Sequence, residues 1–206
     1  MASYKKNMKY FQPKIKCIYN GISIDDYADR KLNTIYDTYN LNKDVKIIGT
    51  IGNFSEHKNF NMFIDVCEKL YNVDKNIHFF AIGEGPAKKH YIDIISKRQL
   101  GEVFTFTGYI DPVFPILSQF DVFLLTSSWE GMPNVVMEAM LNEVPVVSTN
   151  IDGSRELINH GENGFLVNIN DNNTMVKFVL DIVNKNIDLR LLTNKAKSDI
   201  IKKYSL

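Results

Sequence analysis

The chain has 206 residues, 45% hydrophobic and 23% charged, which is enough for one good core and at most two small domains. Its 24 Lys and Arg residues balance 24 Asp and Glu residues, which argues against a protein built around nucleic acid. No apolar stretch is long enough to cross a bilayer, and the start lacks the apolar core of a signal peptide, so we expect a cytoplasmic protein.

Residues 1–42 follow no regular alternation of strands and helices. Lysines are frequent within the first 16 residues, and Asn20-Gly21 is typical of a turn. We predict a linker or partial segment here, with the lysines on a solvated face. The alternative for this basic stretch is contact with a membrane surface, which would make the protein peripheral at the inner membrane face.

Over residues 43–206, short apolar runs alternate with segments of helical periodicity. This alternation predicts one α/β domain: a Rossmann-like parallel sheet of about six strands with helices on both faces. The predicted strands are 45–51, 77–82, 103–106, 122–125, 144–148 and 165–167. The predicted helices are 60–71, a segment around 91–95, 112–120, a segment beginning near 134, 175–183 and 187–203.

Glycine-rich turns follow several of the predicted strands. Gly52, Gly83, Gly85, Gly108 and Gly131 each come after the end of one. A tight turn explains any one of them, but together they mark one rim of the sheet. Since parallel sheets bind ligands at the carboxyl ends of their strands, we expect the site at this rim.

Residues 128–140 contain the groups that we expect to bind a ligand. Gly131 allows close approach of a ligand to the backbone, and Pro133 suits the first position of a helix. The N–H groups of residues 134–136 would then point outward and attract phosphate. Glu130 and Glu138 suit neutral hydroxyls, because a carboxylate only accepts hydrogen bonds. Phosphate at a helix end with diols on either side describes a nucleotide sugar.

Metal and redox patterns are weak in this sequence. It has no His-Glu-x-x-His motif, no cysteine cluster and no Asp-x-Asp, and its four histidines are scattered. We therefore expect no metal ion and no cofactor. Cys17 and Cys67 lie beside apolar residues and are interpreted as buried reduced thiols.

In this arrangement the chain resembles the C-terminal, donor-binding half of a GT-B glycosyltransferase, in the large retaining family called glycosyltransferase family 4. The resemblance covers about residue 18 to the end, with several motifs in order. They are Ile18–Ile22, Ile48–Asn53 with Lys58-Asn59, Ala81–Pro86, Phe106–Tyr109, Glu130–Glu138, Pro145–Ser148 and Gly161–Val167.

The resemblance implies roles around the donor phosphates. Lys58 would bind the diphosphate as a point charge, beside Gly52 and Asn53. The backbone amides of residues 132–135 would hold the distal phosphate. Lys58 and Glu130 are the residues to which the resemblance assigns catalytic roles. The implied phosphate segment is Gly131, Met132, Pro133, Asn134 and Val135.

The resemblance also implies roles for the remainder of the donor. Glu138 would accept hydrogen bonds from the ribose hydroxyls, and Glu130 from hydroxyls of the transferred sugar. The backbone near Tyr109 would meet the base, and Gly83 would leave room for the nucleotide. The substrate would be a UDP- or GDP-sugar and a saccharide or lipid-linked acceptor. Transfer would proceed with retention, helped by the leaving phosphate, without a metal ion.

Four features depart from the family pattern. Asn53 stands where an arginine is usual, so a second cation would have to come from elsewhere, such as Lys88 or Arg155. Glu143 replaces a glycine after the helix, and Asp152-Gly153 replaces a Gly-Gly pair near the site. The chain also holds one of two domains, so we expect a fragment that lacks its acceptor half, binds donor and transfers poorly.

Three other hypotheses use the same fold. An epimerase or phosphorylase relative would share the shape, but the Glu130–Glu138 segment favours transfer. A nicotinamide-binding domain needs Gly-x-Gly-x-x-Gly after the first strand, whereas 51–56 contains one glycine. Because Asn53 stands where an arginine is usual, an interaction domain with a vestigial site remains an alternative.

Overall fold

The structure is a computed structural model that describes residues 20–22 and 34–205. Its centre is a parallel six-stranded sheet in the order β3-β2-β1-β4-β5-β6, so the Rossmann-like prediction is confirmed. The strands are β1 (Lys46–Ile51), β2 (Ile77–Ile82), β3 (Phe104–Gly108), β4 (Val122–Leu125), β5 (Val146–Thr149) and β6 (Phe165–Val167).

Eight α-helices connect and cover the strands in the described ranges. They are α1 (Ile35–Thr38), α2 (Phe60–Val73), α3 (Lys88–Lys97), α4 (Phe114–Leu117), α5 (Asn134–Leu141), α6 (Asp152–Leu157), α7 (Asn172–Val183) and α8 (Leu189–Tyr204). Short 3-10 turns occupy Glu56–Lys58 and Gly101–Val103. No helix in these ranges has the length and apolar character needed to cross a membrane.

Both faces of the sheet are buried, as the unbroken apolar strands require. Side chains alternate along each strand, so Phe79 packs into one apolar cluster and Phe80 into the other. The first cluster is completed mainly by α2, α3 and α7, and the second by α4, α5 and α8. Helices therefore cover both faces and leave the strand ends accessible for a site.

Two helices were not predicted from the sequence. α1 lies within 1–42, where Ile35 is buried and its N–H donates to the Gln119 side chain. Ile22 is also buried and bridges to Ser205 beyond α8. α6 has only six residues, too short to show a helical period. The predicted lysine face and Cys17 lie outside the described residues, while Cys67 is a buried free thiol, as predicted.

Several predicted boundaries were wrong by a few residues. β1 begins at Lys46, β3 runs over Phe104–Gly108, and β5 runs over Val146–Thr149. Val103 belongs to a 3-10 turn. The predicted 112–120 helix is only Phe114–Leu117, because the chain turns at residues 118 and 119 before β4.

The fold makes a prediction about Gly49 in the middle of β1. A Cβ there would lie 2.1 Å from Cε2 of the buried Phe120 ring. We expect Gly49→Ala to lower the free energy of unfolding by about 1–3 kcal/mol, because the ring must leave its packed position. Urea unfolding measures this.

Gly101→Ala is the matched control, since a Cβ at Gly101 meets nothing within 4 Å. It should leave the stability unchanged or raise it by up to about 1 kcal/mol. Equal unfolding midpoints for the Gly49 variant and the parent chain would contradict the packing described for β1.

Candidate functional site

The strand order reverses between β1 and β4, and the chain leaves these two strands in opposite directions. Such a switch point opens a crevice at the carboxyl ends of the strands. A cavity of about 800 Å³ lies at this edge of the sheet. Its lining residues are Ile51, Gly52, Asn53, Ile82, Gly83, Glu84, Tyr109, Ile110, Asp111, Pro112, Val113, Phe114, Val135 and Glu138.

Glycines form one wall of the cavity by close backbone packing. The N–H of Gly52 donates to the carbonyl of Ile82, and that of Gly83 to the carbonyl of Gly108, both at 2.9 Å. Gly83 has φ +137°, and a Cβ there would lie 2.0 Å from the carbonyl oxygen of Gly52. The approach of the β1 and β2 ends therefore requires glycine at this position.

Lys58 and Glu130 form an ion pair beside this wall. Lys58 Nζ lies 2.5 Å from Glu130 Oε1, and the two side chains are only 20% and 14% exposed. The hydroxyl of the buried Ser127 donates to the same carboxylate oxygen at 2.7 Å. A Cβ on Gly52 would lie 3.5 Å from Nζ, so the ammonium group lies against a residue of the cavity wall.

The loop that carries Glu130 is fixed from several sides. Thr126 donates its hydroxyl to the carbonyl of Lys58, and the N–H of Ser128 donates to the carbonyl of His57. Gly153 at the start of α6 packs so closely that a Cβ there would lie 2.0 Å from the carbonyl of Gly131. A Cβ on Gly131 itself would meet nothing within 4 Å, so this backbone is open to a ligand.

Helix α5 begins at Asn134, as predicted, but Pro133 does not occupy its first position. Pro133 is extended, at φ −76° and ψ 100°, and caps the helix instead of forming its first turn. Its carbonyl accepts the N–H of Val136, so Val136 has no free donor, contrary to the prediction. The N–H groups of Asn134 and Val135 have no acceptor in the described part of the chain and remain available.

Glu138 lies on the second turn of α5 and lines the cavity. Its Oε2 atom is buried, and it finds no hydrogen-bond partner among residues 20–22 and 34–205. Burial raises the pKa of this carboxyl, and the nearby Asp111 carboxylate raises it further. The structure thus holds a hydrogen-bond acceptor at the cavity wall at a cost in free energy.

The sequence matches the family model for glycosyl transferases group 1 over residues 33–199. The chain belongs to this family. It is similar to a poly(ribitol-phosphate) alpha-N-acetylglucosaminyltransferase of Staphylococcus aureus, with 30% identity over 78% of the chain and 33% of that protein. It is also 26% identical to the lipopolysaccharide core biosynthesis glycosyltransferase LpsE of Rhizobium meliloti, over 79% of the chain and 46% of that protein.

Solved structures share the fold. The S. aureus TarM structure with Fondaparinux, alpha-GlcNAc-glycerol and UDP has a TM-score of 0.75 and 29% identity, over 79% of this chain and 33% of TarM. The Anabaena HepE structure with UDP-glucose has a TM-score of 0.80 and 21% identity, over 92% and 53%. The chain thus spans between a third and about half of the length of these proteins.

The glycosyltransferase site residues predicted from the sequence separate into two groups. Gly52, Asn53, Gly83, Tyr109, Val135 and Glu138 line one cavity. Lys58 and Glu130 lie beside it as an ion pair. Gly131, Met132 and Pro133 form the loop that leads into α5, and Asn134 is the first residue of that helix. The two substitute cations are both engaged, Lys88 with Glu84 and Arg155 with Asp152.

Sequence reasoning missed part of the cavity wall and one contact to the ion pair. Asp111 on the turn after β3 and Phe114 at the start of α4 line the cavity, although neither was given a role in the site from the sequence. Ser127 stands three residues before Glu130, a spacing that could have suggested its contact with the carboxylate. Glu84 was noted only as part of a glycine-rich turn, although it lines the cavity.

Glu138→Gln should stabilise the fold at neutral pH, because it removes a partly buried carboxylate. The pKa of Glu138 is raised in the folded state, so its ionisation lowers stability as the pH rises through that pKa. The penalty grows as the pH rises above the ordinary pKa of a glutamate and is absent below it. Urea unfolding of both proteins at about pH 7 and about pH 5 measures the difference.

The advantage of Glu138→Gln should shrink at the lower pH. The matched control is Glu143→Gln, which changes an exposed glutamate just after the same helix and should show no such gain. A Glu138 variant less stable than the parent chain at neutral pH would contradict the burial penalty.

Proposed function

We propose that this chain is the donor-binding part of a retaining glycosyltransferase and binds a nucleotide sugar at the carboxyl ends of β1 and β4. The observation that carries the proposal is the buried carboxylate of Glu138 on the cavity wall. A carboxylate of this kind suits the paired hydroxyls of a ribose, because it offers only acceptors and the hydroxyls can donate to both oxygens.

The start of α5 suits the phosphate groups. The N–H groups of Asn134 and Val135 are available there, and the helix dipole favours negative charge. Val135 lines the same cavity as Glu138, so phosphate at the helix end and ribose at Glu138 fit one ligand. The base would then face Tyr109 and Ile110, which also line the cavity.

Lys58 and Glu130 are suited to the two sides of the bond that is broken. The ammonium group of Lys58 would stabilise charge on the leaving diphosphate, and Glu130 would hold hydroxyls of the sugar. The reaction transfers the anomeric carbon from the phosphate oxygen to an acceptor oxygen. The acceptor proton passes to the leaving phosphate, so in this proposal the protein supplies positioning and charge and no metal ion takes part.

The similar proteins indicate the substrate classes. The TarM structure contains UDP, and the S. aureus relative is named for transfer of N-acetylglucosamine to poly(ribitol-phosphate). A 24% identical Escherichia coli relative is named as a UDP-Gal-dependent galactosyltransferase acting on a diphosphoundecaprenol acceptor. These names support a saccharide or lipid-linked acceptor and a role in bacterial surface polysaccharide or glycolipid synthesis.

The acceptor side would come from a further domain, since the relatives are two to three times longer than their match to this chain. We therefore expect donor binding without efficient transfer from residues 1–206 alone. We further propose that the protein is located in the cytoplasm, with or without contact with the inner face of the membrane.

Calorimetric titration with UDP, GDP and ADP and their sugar conjugates tests the proposal. We expect one base to be preferred. Glu138→Gln should weaken that nucleotide about tenfold, because a charged acceptor of ribose hydroxyls becomes neutral. Glu143→Gln is the control with unchanged affinity. If the chain bound no nucleotide, the result would contradict the proposal and favour a vestigial domain.

Removal of divalent cations should leave nucleotide affinity unchanged. The proposed site holds the diphosphate with Lys58 and the backbone N–H groups of α5, which need no bridging metal ion. Titration in EDTA and in magnesium chloride provides the comparison. Binding that disappears in EDTA and returns with magnesium would show that the diphosphate needs a bridging metal ion, and would contradict this prediction.

A further inference from the structure

Lys58 already has a strong partner inside the protein. Its ammonium group lies 2.5 Å from Glu130, and both side chains are largely buried, so water screens the pair less than an exposed one. A diphosphate that takes Lys58 must compete with this carboxylate. The proposed phosphate ligand and the proposed sugar ligand are therefore coupled through one ion pair.

The geometry allows Lys58 to change partners by side-chain movement alone. The backbone of the His57-Lys58 turn is held by Thr126 and Ser128. The end of the side chain lies against Gly52, where a Cβ would be 3.3 Å from Cε, and Gly52 lines the large cavity. A rotation of the lysine chain brings Nζ from Glu130 toward an anion at that wall.

Glu130 can remain in position when Lys58 moves. The hydroxyl of Ser127 donates to Oε1, the same atom that holds Lys58. Ser127 is fully buried, and its carbonyl accepts the hydroxyl of Thr149 at 2.6 Å, which fixes it against β5. The carboxylate would then have acceptor capacity to spare, which donor hydroxyls of a sugar can fill.

The surrounding charges increase the competition. Asn53 adds no charge where a second cation would help, and Lys88 is paired with Glu84 at 2.6 Å. An entering diphosphate therefore meets a lysine that is already neutralised, and it also meets the repulsion of Glu130.

We infer that Glu130 is an internal competitor of the diphosphate: donor binding transfers Lys58 from Glu130 to the phosphate, and the sugar hydroxyls replace Lys58 on Glu130. This inference rests on the proposed donor site. It makes the sugar-bearing nucleotide the favoured ligand over the bare nucleoside diphosphate. After transfer, the sugar no longer occupies Glu130, which takes Lys58 back and helps to release the product.

The test is a calorimetric cycle with the bare nucleoside diphosphate that the parent chain binds. Glu130→Gln should tighten that ligand at least about threefold, because Lys58 no longer has to leave a carboxylate. The same variant should lose most of the preference for the nucleotide sugar. An unchanged or weaker affinity for the bare diphosphate would overturn the inference.

The cycle is repeated with Lys58→Gln to separate exchange from simple repulsion. In that background, Glu130→Gln should tighten the ligand clearly less, because only the repulsion of the carboxylate is relieved and no lysine remains to be freed. Equal tightening with and without Lys58 would show a general charge effect and overturn the exchange. Lys88→Gln is the matched lysine control, and in that background the effect of Glu130→Gln should persist.

Two further measurements keep the outcomes distinct. Circular dichroism checks that each variant folds, and Glu130→Ala, expected to act in the same direction, replaces Glu130→Gln if the latter unfolds. If the parent chain binds no nucleotide, the proposed function fails and the inference fails with it. If it binds one and the Glu130 variants do not tighten it, the inference alone fails.

Discussion

The parallel pairing of β1 with β2 on one side and with β4 on the other is the constraint on which the site depends. Because successive connections leave in opposite directions at this point, a crevice opens between them, and the cavity lies there. Close packing of Gly83 on Gly52 then brings the β1 and β2 ends together as one wall. Helix α5, which follows β4, contributes Val135 and Glu138, so residues far apart in sequence meet around one cavity.

The site contains charged groups that are largely buried, which is electrostatically unfavourable without a ligand. Glu138 keeps a buried oxygen without a partner among the described residues, and its pKa is raised by burial and then by Asp111. Lys58 and Glu130 neutralise each other in a largely buried pair. Burying these charged groups costs free energy of folding. We interpret both features as preparation for a ligand that carries hydroxyls and phosphates together. The ion pair also gives the site a means to distinguish donor from product.

The sequence predicted the fold more fully than the site. Six strands were found because each is a short apolar run, and the glycines placed the site at their carboxyl ends. α1 and α6 were missed because four and six residues are too few to show a period. The position of Pro133 outside α5 depends on its ψ angle, which a proline does not fix. The Lys58–Glu130 contact joins residues 72 positions apart, and no local sequence pattern predicts it.

Ribose recognition by Glu138 is the central claim, and a cycle of two ligands and two proteins tests it most directly. The preferred nucleoside diphosphate and its 2′,3′-dideoxy analogue are each titrated into the parent chain and into Glu138→Gln. The account predicts that the parent binds the ribose form about tenfold more tightly, and that this preference nearly vanishes in the variant. An equal preference in both proteins would show that Glu138 does not hold the ribose, and would contradict the placement of the donor.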